Sequence, residues 1–297
     1  MGIKYSVSLY IILLFVAFIH APSLYALDHL DTGESTPQIQ ALPKGVSIYQ
    51  LNNGMQALLI ENPALPMVGV NVAVKVGSAY ETFSTSGMSH MLEHLLFNGT
   101  TSRTQKQLYD DVDRIGGYNN ASTAEFYTNY MMVTPAGNIR KGMEIQADML
   151  FNSTLPTDKF QKEKGIVLEE ISKSLANPQE QLDRNTLSIL YDGHALSLQT
   201  LGTYSTIQAM SRDNVNSFYK NNYVPNNMIV SVIGNFQTST MLPLIKEIYG
   251  KSSAGQVHRE VNPEWATGFQ TPTLPANSGG MVYNRFYDGE DKVLQIF

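Results

Sequence analysis

The chain of 297 residues is 43% hydrophobic and 15% charged, and its formal net charge is −6. This is enough apolar material for one large domain or two modest ones, and the lack of a basic run argues against nucleic acid as a partner. Because the sequence contains no cysteine, disulfides, thiolate zinc sites and a cysteine nucleophile are excluded, and any metal must be bound by histidine and carboxylate groups.

The first 26 residues are typical of a secretory signal peptide. Lys4 precedes an apolar stretch over residues 7–18, and small residues follow up to a cleavage site after Ala26. The apolar stretch is shorter than the roughly 20 residues that span a bilayer, although an uncleaved anchor is the alternative. We therefore expect a periplasmic or secreted protein with no membrane span after signal removal, and a polar connector over residues 27–44.

Strand patterns begin at residue 45. Residues 46–51 and 55–61 flank Asn53 and Gly54, a dipeptide that favours a tight hairpin turn. Residues 67–78 are long, β-branched and alternating, which indicates a strand with at least one buried face.

Helical patterns dominate the middle of the chain. Ser and Thr within residues 81–87 offer caps for a helix over residues 88–97, which Gly99 closes. Residues 116–135 return to strand character, with Gly116 and Gly117 as the turn. Further helices are predicted at residues 104–115, 138–151, 157–176, 179–191, 211–221 and 239–250, the last despite Pro243.

The last predicted elements, taken with the earlier ones, favour a layered fold. Residues 227–236 read as a short buried strand, and residues 251–280 read as a linker rich in Ser, Gly, Pro and Thr. This mixture of strands, helices and antiparallel hairpins predicts an α+β two-layer sandwich, in which a mixed, largely antiparallel sheet has its helices packed on one face.

The segment "HMLEH" carries the first candidate site. His90 and His94 are four residues apart, so in a helix both imidazoles can reach one metal ion, and Glu93 lies at the edge of the same face. This order matches the H-x-x-E-H signature, in which two imidazoles hold zinc and the carboxylate takes a proton from water. The alternative is that two histidines share an amphipathic helix by chance.

Catalytic zinc normally has three protein ligands, so the segment predicts another His or acid elsewhere. In "DKFQKEKGIVLEEISKSLANP", Glu163 and Glu170 are seven residues apart and line one side of a helix. A third ligand and an acid that supports the ligands can both come from this side. Glu169 is a competing ligand, and glutamates on a solvated surface are the alternative.

Together these segments resemble the family of zinc metallopeptidases that includes pitrilysin, insulysin and mitochondrial processing peptidase. The resemblance covers residues 45–250 and includes "HMLEHLLFNGT" and "LGTYSTIQAMSRDNVNSFYKNNYVPNNMIVSVIGNF". It implies one zinc ion held by His90, His94 and Glu170. It also implies that Glu93 is the catalytic base and Glu163 a supporting acid.

The stretch "GGYNNASTAEFYTNY" is similar to the Gly-Gly and Asn-Ala-x-Thr pattern of that family, with Asn120, Ala121 and Thr123 in the last four positions. The resemblance implies that these residues bind substrate on a strand at the sheet edge, to which an extended peptide adds by β-augmentation. The alternative is that the asparagines simply complete a turn.

Members of the family pair two similar halves that enclose the substrate. We therefore expect residues 45–250 to be the zinc-bearing half-domain and residues 281–297 to begin a second, truncated half. The expected partner is a second half-domain in a related subunit or in a missing C-terminal part. The predicted function is a zinc-dependent endopeptidase that hydrolyses extended peptides or small unfolded proteins. The alternative is a non-catalytic, zinc-stabilised partner subunit or peptide-binding scaffold.

Overall fold

The computed structural model describes residues 42–257, 283–285 and 294–296, and nearly all of them belong to one compact unit, Gly45–Phe297. The predicted α+β fold is confirmed, since a six-stranded sheet lies against helices. The strands are β1 (Val46–Gln50), β2 (Gln56–Glu61), β3 (Met67–Val74), β4 (Tyr118–Thr123), β5 (Thr128–Pro135) and β6 (Met228–Gly234).

Eight α-helices are present in the described part of the chain. They are α1 (Met88–Leu95), α2 (Gln105–Arg114), α3 (Ile139–Asn152), α4 (Thr157–Ala176), α5 (Pro178–Leu190), α6 (Tyr204–Ala209), α7 (Arg212–Asn222) and α8 (Thr238–Tyr249). The helical patterns of the sequence correspond to seven of these, and the short α6 was not predicted.

The sheet has the strand order β1-β2-β6-β3-β5-β4, so β1 and β4 are its edges. All neighbouring pairs are antiparallel except β2 with β6, which run parallel. The predicted strand character of residues 116–135 resolves into the hairpin of β4 and β5, with the β4 edge left open for further pairing.

The core lies between the sheet and the helices. Alternate residues of β3, from Val68 to Val74, are fully buried, as period-2 alternation requires when one face of a strand meets the core. Residues 228–232 of β6 are buried on both faces, which is consistent with a central position in the sheet. Helix α1 packs against α4, β4 and β5, and this places the "HMLEH" segment beside the open sheet edge.

The start of α1 differs from the prediction. Its N-cap residue is Gly87 with φ +91°, and no Ser or Thr side chain caps the helix. Instead, the buried carboxylate of Glu81 accepts hydrogen bonds from the Gly87 N–H at 2.8 Å and the Ser89 N–H at 2.7 Å. A side chain at position 87 would be strained at this positive φ and would come within 2.9 Å of the Leu201 carbonyl oxygen, so the backbone conformation and this close approach, rather than capping preference, select glycine here.

Several predicted segments lie wholly or mainly outside the described residues. They are the signal peptide over residues 1–26, the connector over 27–44 and most of the linker over 251–280. Within the predicted start of a second half, residues 281–297, the described pieces form a short antiparallel pair, β7 (Tyr283–Arg285) and β8 (Leu294–Ile296). No helix among the described residues has the length and hydrophobicity needed to cross a bilayer.

Candidate metal centre

Three side chains predicted as metal ligands converge where α1 packs against α4. His90 and His94 project from α1, and Glu170 projects from α4. Glu170 Oε2 lies 3.6 Å from His90 Nε2 and 3.7 Å from His94 Nε2. One ligand atom of each residue falls within 4.8 Å of the other two, so the group has the composition and spacing of a metal site.

The donor set fits a zinc ion. Ligands at about 2.0–2.1 Å in a tetrahedral arrangement are separated from one another by about 3.3 Å, slightly less than the two observed distances. Glu170 Oε2 is buried and has no hydrogen-bond partner in the structure. A buried carboxylate oxygen directed between two imidazole nitrogens without a donor is costly unless a cation completes the group. Neighbouring Glu169 is exposed and does not belong to the group.

The second ring nitrogen of His94 is fixed by Glu163, the other predicted acid of α4. His94 Nδ1 and Glu163 Oε2 are 3.0 Å apart, so a proton on Nδ1 leaves the Nε2 lone pair directed toward the site. Glu163 is buried, and its other oxygen, Oε1, accepts a hydrogen bond from Asn98 Nδ2 at 3.1 Å. The alternative that Glu163 is a solvated surface residue is therefore wrong.

The electrostatics of these groups reflect their surroundings. Burial, with a smaller contribution from His94, lowers the pKa of His90 to about 4, which keeps that imidazole neutral. Burial also acts to lower the pKa of His94, but the hydrogen bond with Glu163 and the nearby carboxylates raise it overall. Burial acts to raise the pKa of Glu163, while hydrogen bonds from His94 and Asn98 bring it below its ordinary value.

Glu93 is held between α1 and β4. Its Oε2 accepts a hydrogen bond from the Thr123 hydroxyl at 2.5 Å. Burial raises the pKa of Glu93, and the hydrogen bond from Thr123 partly opposes this shift. A carboxylate oriented in this way beside two imidazoles can accept a proton from a water molecule in the same space.

The residues predicted to bind substrate lie on the open edge. Asn120, Ala121 and Thr123 belong to β4, whose neighbour on one side is β5. Asn120 is exposed, whereas Ala121 packs against the core and Thr123 contacts Glu93. Because the β4 backbone on the side away from β5 has no strand partner in the sheet, an extended peptide can pair there.

Two residues that position α1 or its metal-binding side chains were missed from the sequence. Asn98 is four residues after His94, so continuation of the helical period would have placed it on the same face. Glu81 caps α1 from six residues before Gly87. No sequence rule for helix caps reaches so far back, and the carboxylate could not have been distinguished from an ordinary loop residue.

The chain matches two models of one protein family. The family model described as "Insulinase (Peptidase family M16)" matches residues 56–204, and the model described as "Peptidase M16 inactive domain" matches residues 209–281. The first of these spans β2 to β5, α1 to α5 and the three candidate ligands of the metal centre.

Individual relatives are also described as proteases or processing peptidases. A protein of Rickettsia felis described as an uncharacterized zinc protease is 31% identical over 215 residues, which are 72% of this chain and 52% of the relative. The mitochondrial-processing peptidase subunit beta of Blastocladiella emersonii is 31% identical over 214 residues, 72% of this chain and 46% of the relative. The crystal structure of a protease from Helicobacter pylori superposes with a TM-score of 0.69 at 29% identity, covering 73% of this chain and 52% of that chain. The chain thus spans about half the length of the curated relatives that it matches.

Proposed function

The chain belongs to peptidase family M16, and on this premise we propose that it is a zinc-dependent endopeptidase, or the zinc-bearing half of one. The observation that carries the proposal is the convergence of His90, His94 and Glu170 with Glu93 beside them. The proposed metal is a single zinc ion, in line with relatives that are described as zinc proteases.

Each residue has a distinct proposed role. His90 Nε2, His94 Nε2 and Glu170 Oε2 hold the ion, and Glu163 fixes the orientation of the His94 ring. When bound, the ion supplies Lewis-acid chemistry, since zinc polarises a carbonyl and brings the pKa of a water molecule to about 7. Glu93 accepts the proton of the attacking water at its carboxylate, and then delivers it to the leaving amine.

The proposed substrate is an extended peptide or a small unfolded protein. Its backbone would pair with the open edge of β4, the strand that holds Asn120, Ala121 and also Thr123, which contacts Glu93. Backbone pairing aligns a peptide with little dependence on its side chains. The scissile bond would in this way be placed over the metal centre.

We further propose that a second half-domain completes the catalytic unit. Support comes from the length of the relatives, of which this chain spans about half. Stabilisation of a tetrahedral intermediate by added donors is worth about 3–4 kcal/mol. A half-domain that lacked such donors would therefore hydrolyse peptides slowly. The rate of peptide hydrolysis should be measured on the chain alone and again with the other half supplied.

The test of the proposal is the variant Glu93→Gln. Gln keeps the shape of the side chain but cannot accept the proton, so zinc content measured on the purified protein should be unchanged while cleavage of an unstructured peptide is lost. Glu169→Gln is the matched control, because Glu169 is exposed on the same helix as Glu170 and should tolerate the change. Full cleavage by Glu93→Gln would refute the role of Glu93 as the proton acceptor. If the unaltered protein binds the metal but shows no cleavage that a chelator abolishes, the result would instead support a non-catalytic peptide-binding scaffold.

A further inference from the structure

Asn98 lies at the centre of a hydrogen-bond chain that ends at the metal centre. It is 3% exposed and sits in the 3₁₀ turn Leu96–Asn98, which continues α1 beyond His94. Its Nδ2 donates to the His94 carbonyl at 3.0 Å and to Glu163 Oε1 at 3.1 Å, and its Oδ1 accepts from Gln105 Nε2 at 2.5 Å.

The partners determine how the Asn98 amide must be oriented. A carbonyl oxygen and a carboxylate oxygen are acceptors, so the NH₂ group must face His94 and Glu163. The Gln105 side chain donates from the opposite side, at the start of α2, and so satisfies the Asn98 oxygen in this orientation. Asn98 is thus locked in one orientation by groups from three segments of the chain.

The consequence for the site follows through Glu163. Its Oε1 is held by Asn98 and its Oε2 by His94 Nδ1, so the two contacts fix the carboxylate plane. A carboxylate that is fixed in this way in turn sets the ring angle and tautomer of His94. Without Asn98, Glu163 Oε1 would remain buried with one donor fewer and could turn away from the ring.

From this arrangement we propose that Asn98 is a positioning residue of the metal centre, which sets zinc affinity through Glu163 and links the centre to Gln105 of α2. The proposal rests on the proposed function, since it assumes that the two histidines and Glu170 bind zinc. It concerns Asn98 and Gln105, for which the metal-helix signature and the spacing of the ligands specify no role.

The test is the variant Asn98→Leu, which has a similar size, adds no charge and removes both donors. The zinc dissociation constant is measured on purified protein by competition with a chromogenic chelator, so no hydrolysis is needed. Groups that orient metal ligands change affinity by about 10- to 100-fold when removed. Because Asn98 acts through Glu163, we expect about a 10-fold weaker affinity, and a shift in the visible spectrum of the cobalt-loaded protein.

A matched control separates positioning from general stabilisation. Asn152 Nδ2 donates to the carboxylate of Asp148 at 3.0 Å, an amide-to-carboxylate hydrogen bond of a more exposed residue outside the metal centre. Asn152→Leu should therefore leave zinc affinity and the cobalt spectrum unchanged. If Asn98→Leu binds zinc as tightly as the unaltered protein and has the same cobalt spectrum, the proposal is overturned.

A second variant decides the matter if Asn98→Leu does not fold. Gln105→Leu removes the donor that locks the Asn98 amide and leaves the buried residues in place, so a few-fold loss of zinc affinity is expected and an unchanged affinity overturns the proposal. Failure of the unaltered protein to bind zinc at all is a different result. It would contradict the proposed function rather than the role of Asn98 within it.

Discussion

The carboxylate of Glu93 takes its orientation from a hydroxyl on the edge strand. The family resemblance implied that Thr123 binds substrate, together with Asn120 and Ala121. Its hydroxyl faces α1 and donates to Glu93 Oε2. Thr123 therefore connects β4, the proposed substrate-binding strand, to Glu93, the proposed catalytic base.

Thr123→Val tests this connection, because Val has nearly the same shape and lacks the hydroxyl. A hydrogen bond to a charged group contributes about 1.5–3 kcal/mol, so kcat for peptide cleavage should fall about 10-fold or more, with KM and zinc content little changed. Thr123→Ser keeps the donor and should restore most of the rate. Steady-state kinetics on the two variants provide the measurement, and a Val variant as fast as the Ser variant would contradict the role.

For individual residues, the sequence could identify the side chains of the candidate metal centre but not all of their contacts. The i, i+4 spacing of His90 and His94 and the seven-residue spacing of Glu163 and Glu170 are properties of single helices, and such spacings can be read along the chain. The contact between Glu93 and Thr123 joins a helix to a strand 30 residues later. It depends on the packing of α1 against the sheet, which no local pattern specifies.

The N-terminus of α1 shows how an element is held by a residue outside it. Glu81 is buried, and its two oxygens accept from the N–H groups of Gly87 and Ser89. A carboxylate at this end of a helix satisfies free amides and complements the helix dipole. Burial nevertheless raises the pKa of Glu81 to about 7, in spite of these hydrogen bonds.

This shift predicts a pH dependence of stability. The folded pKa of Glu81 lies above the ordinary value of 4.5, so the folded protein binds a proton more tightly than the unfolded chain between these values. The stabilisation is complete below about pH 4.5 and is lost as the pH rises through about 7. A shift of this size corresponds to roughly 2–3 kcal/mol between pH 5 and pH 8.

Glu81→Gln should remove this contribution. The free energy of unfolding of the unaltered protein, measured with urea in the presence of chelator, should fall relative to that of the variant between pH 5 and pH 8. The exposed control Glu169→Gln should follow the unaltered protein at both pH values. Parallel pH profiles for Glu81→Gln and the unaltered protein would show that Glu81 is ionised throughout.

Sequence patterns predicted the type of most elements better than their arrangement. The alternation of β3 and the long apolar periodicity of α4 are local, and both elements were predicted close to their observed bounds. The insertion of β6 between β2 and β3 could not be predicted, because it depends on pairing across more than 150 residues. Helix α6 was missed because six residues are too few to show a helical period, although Thr203 and Thr206 form a capping box at its start.

Across the whole molecule, the metal centre and the open sheet edge occupy one region. Helix α1 contributes His90, Glu93 and His94 and packs directly against β4. A peptide paired with β4 would therefore lie along the metal centre. None of the described residues would cover the side of the peptide that faces away from β4. This geometry gives a physical reason for the proposed second half-domain, which would exclude water from the opposite side of the substrate.

The metal centre also joins two distant parts of the chain, and this has a consequence for stability. His90 and His94 lie on α1, whereas Glu170 lies on α4, so an ion bound to all three would link the two helices. An ion that binds the folded protein alone stabilises it by about 2.7 kcal/mol at 100 times its dissociation constant. For a chain of this size, each kcal/mol raises Tm by about 2–4 °C.

We therefore expect added zinc to raise the Tm of the chelator-treated protein by about 5–10 °C, as measured by circular dichroism. Glu170→Gln removes the carboxylate from α4, so the two histidines of α1 alone should give little increase, whereas Glu169→Gln should respond like the unaltered protein. An equal response to zinc in Glu170→Gln would mean that the ion is held by α1 without α4. The two helices would then be joined by packing alone, and the buried Glu170 Oε2 would need another partner.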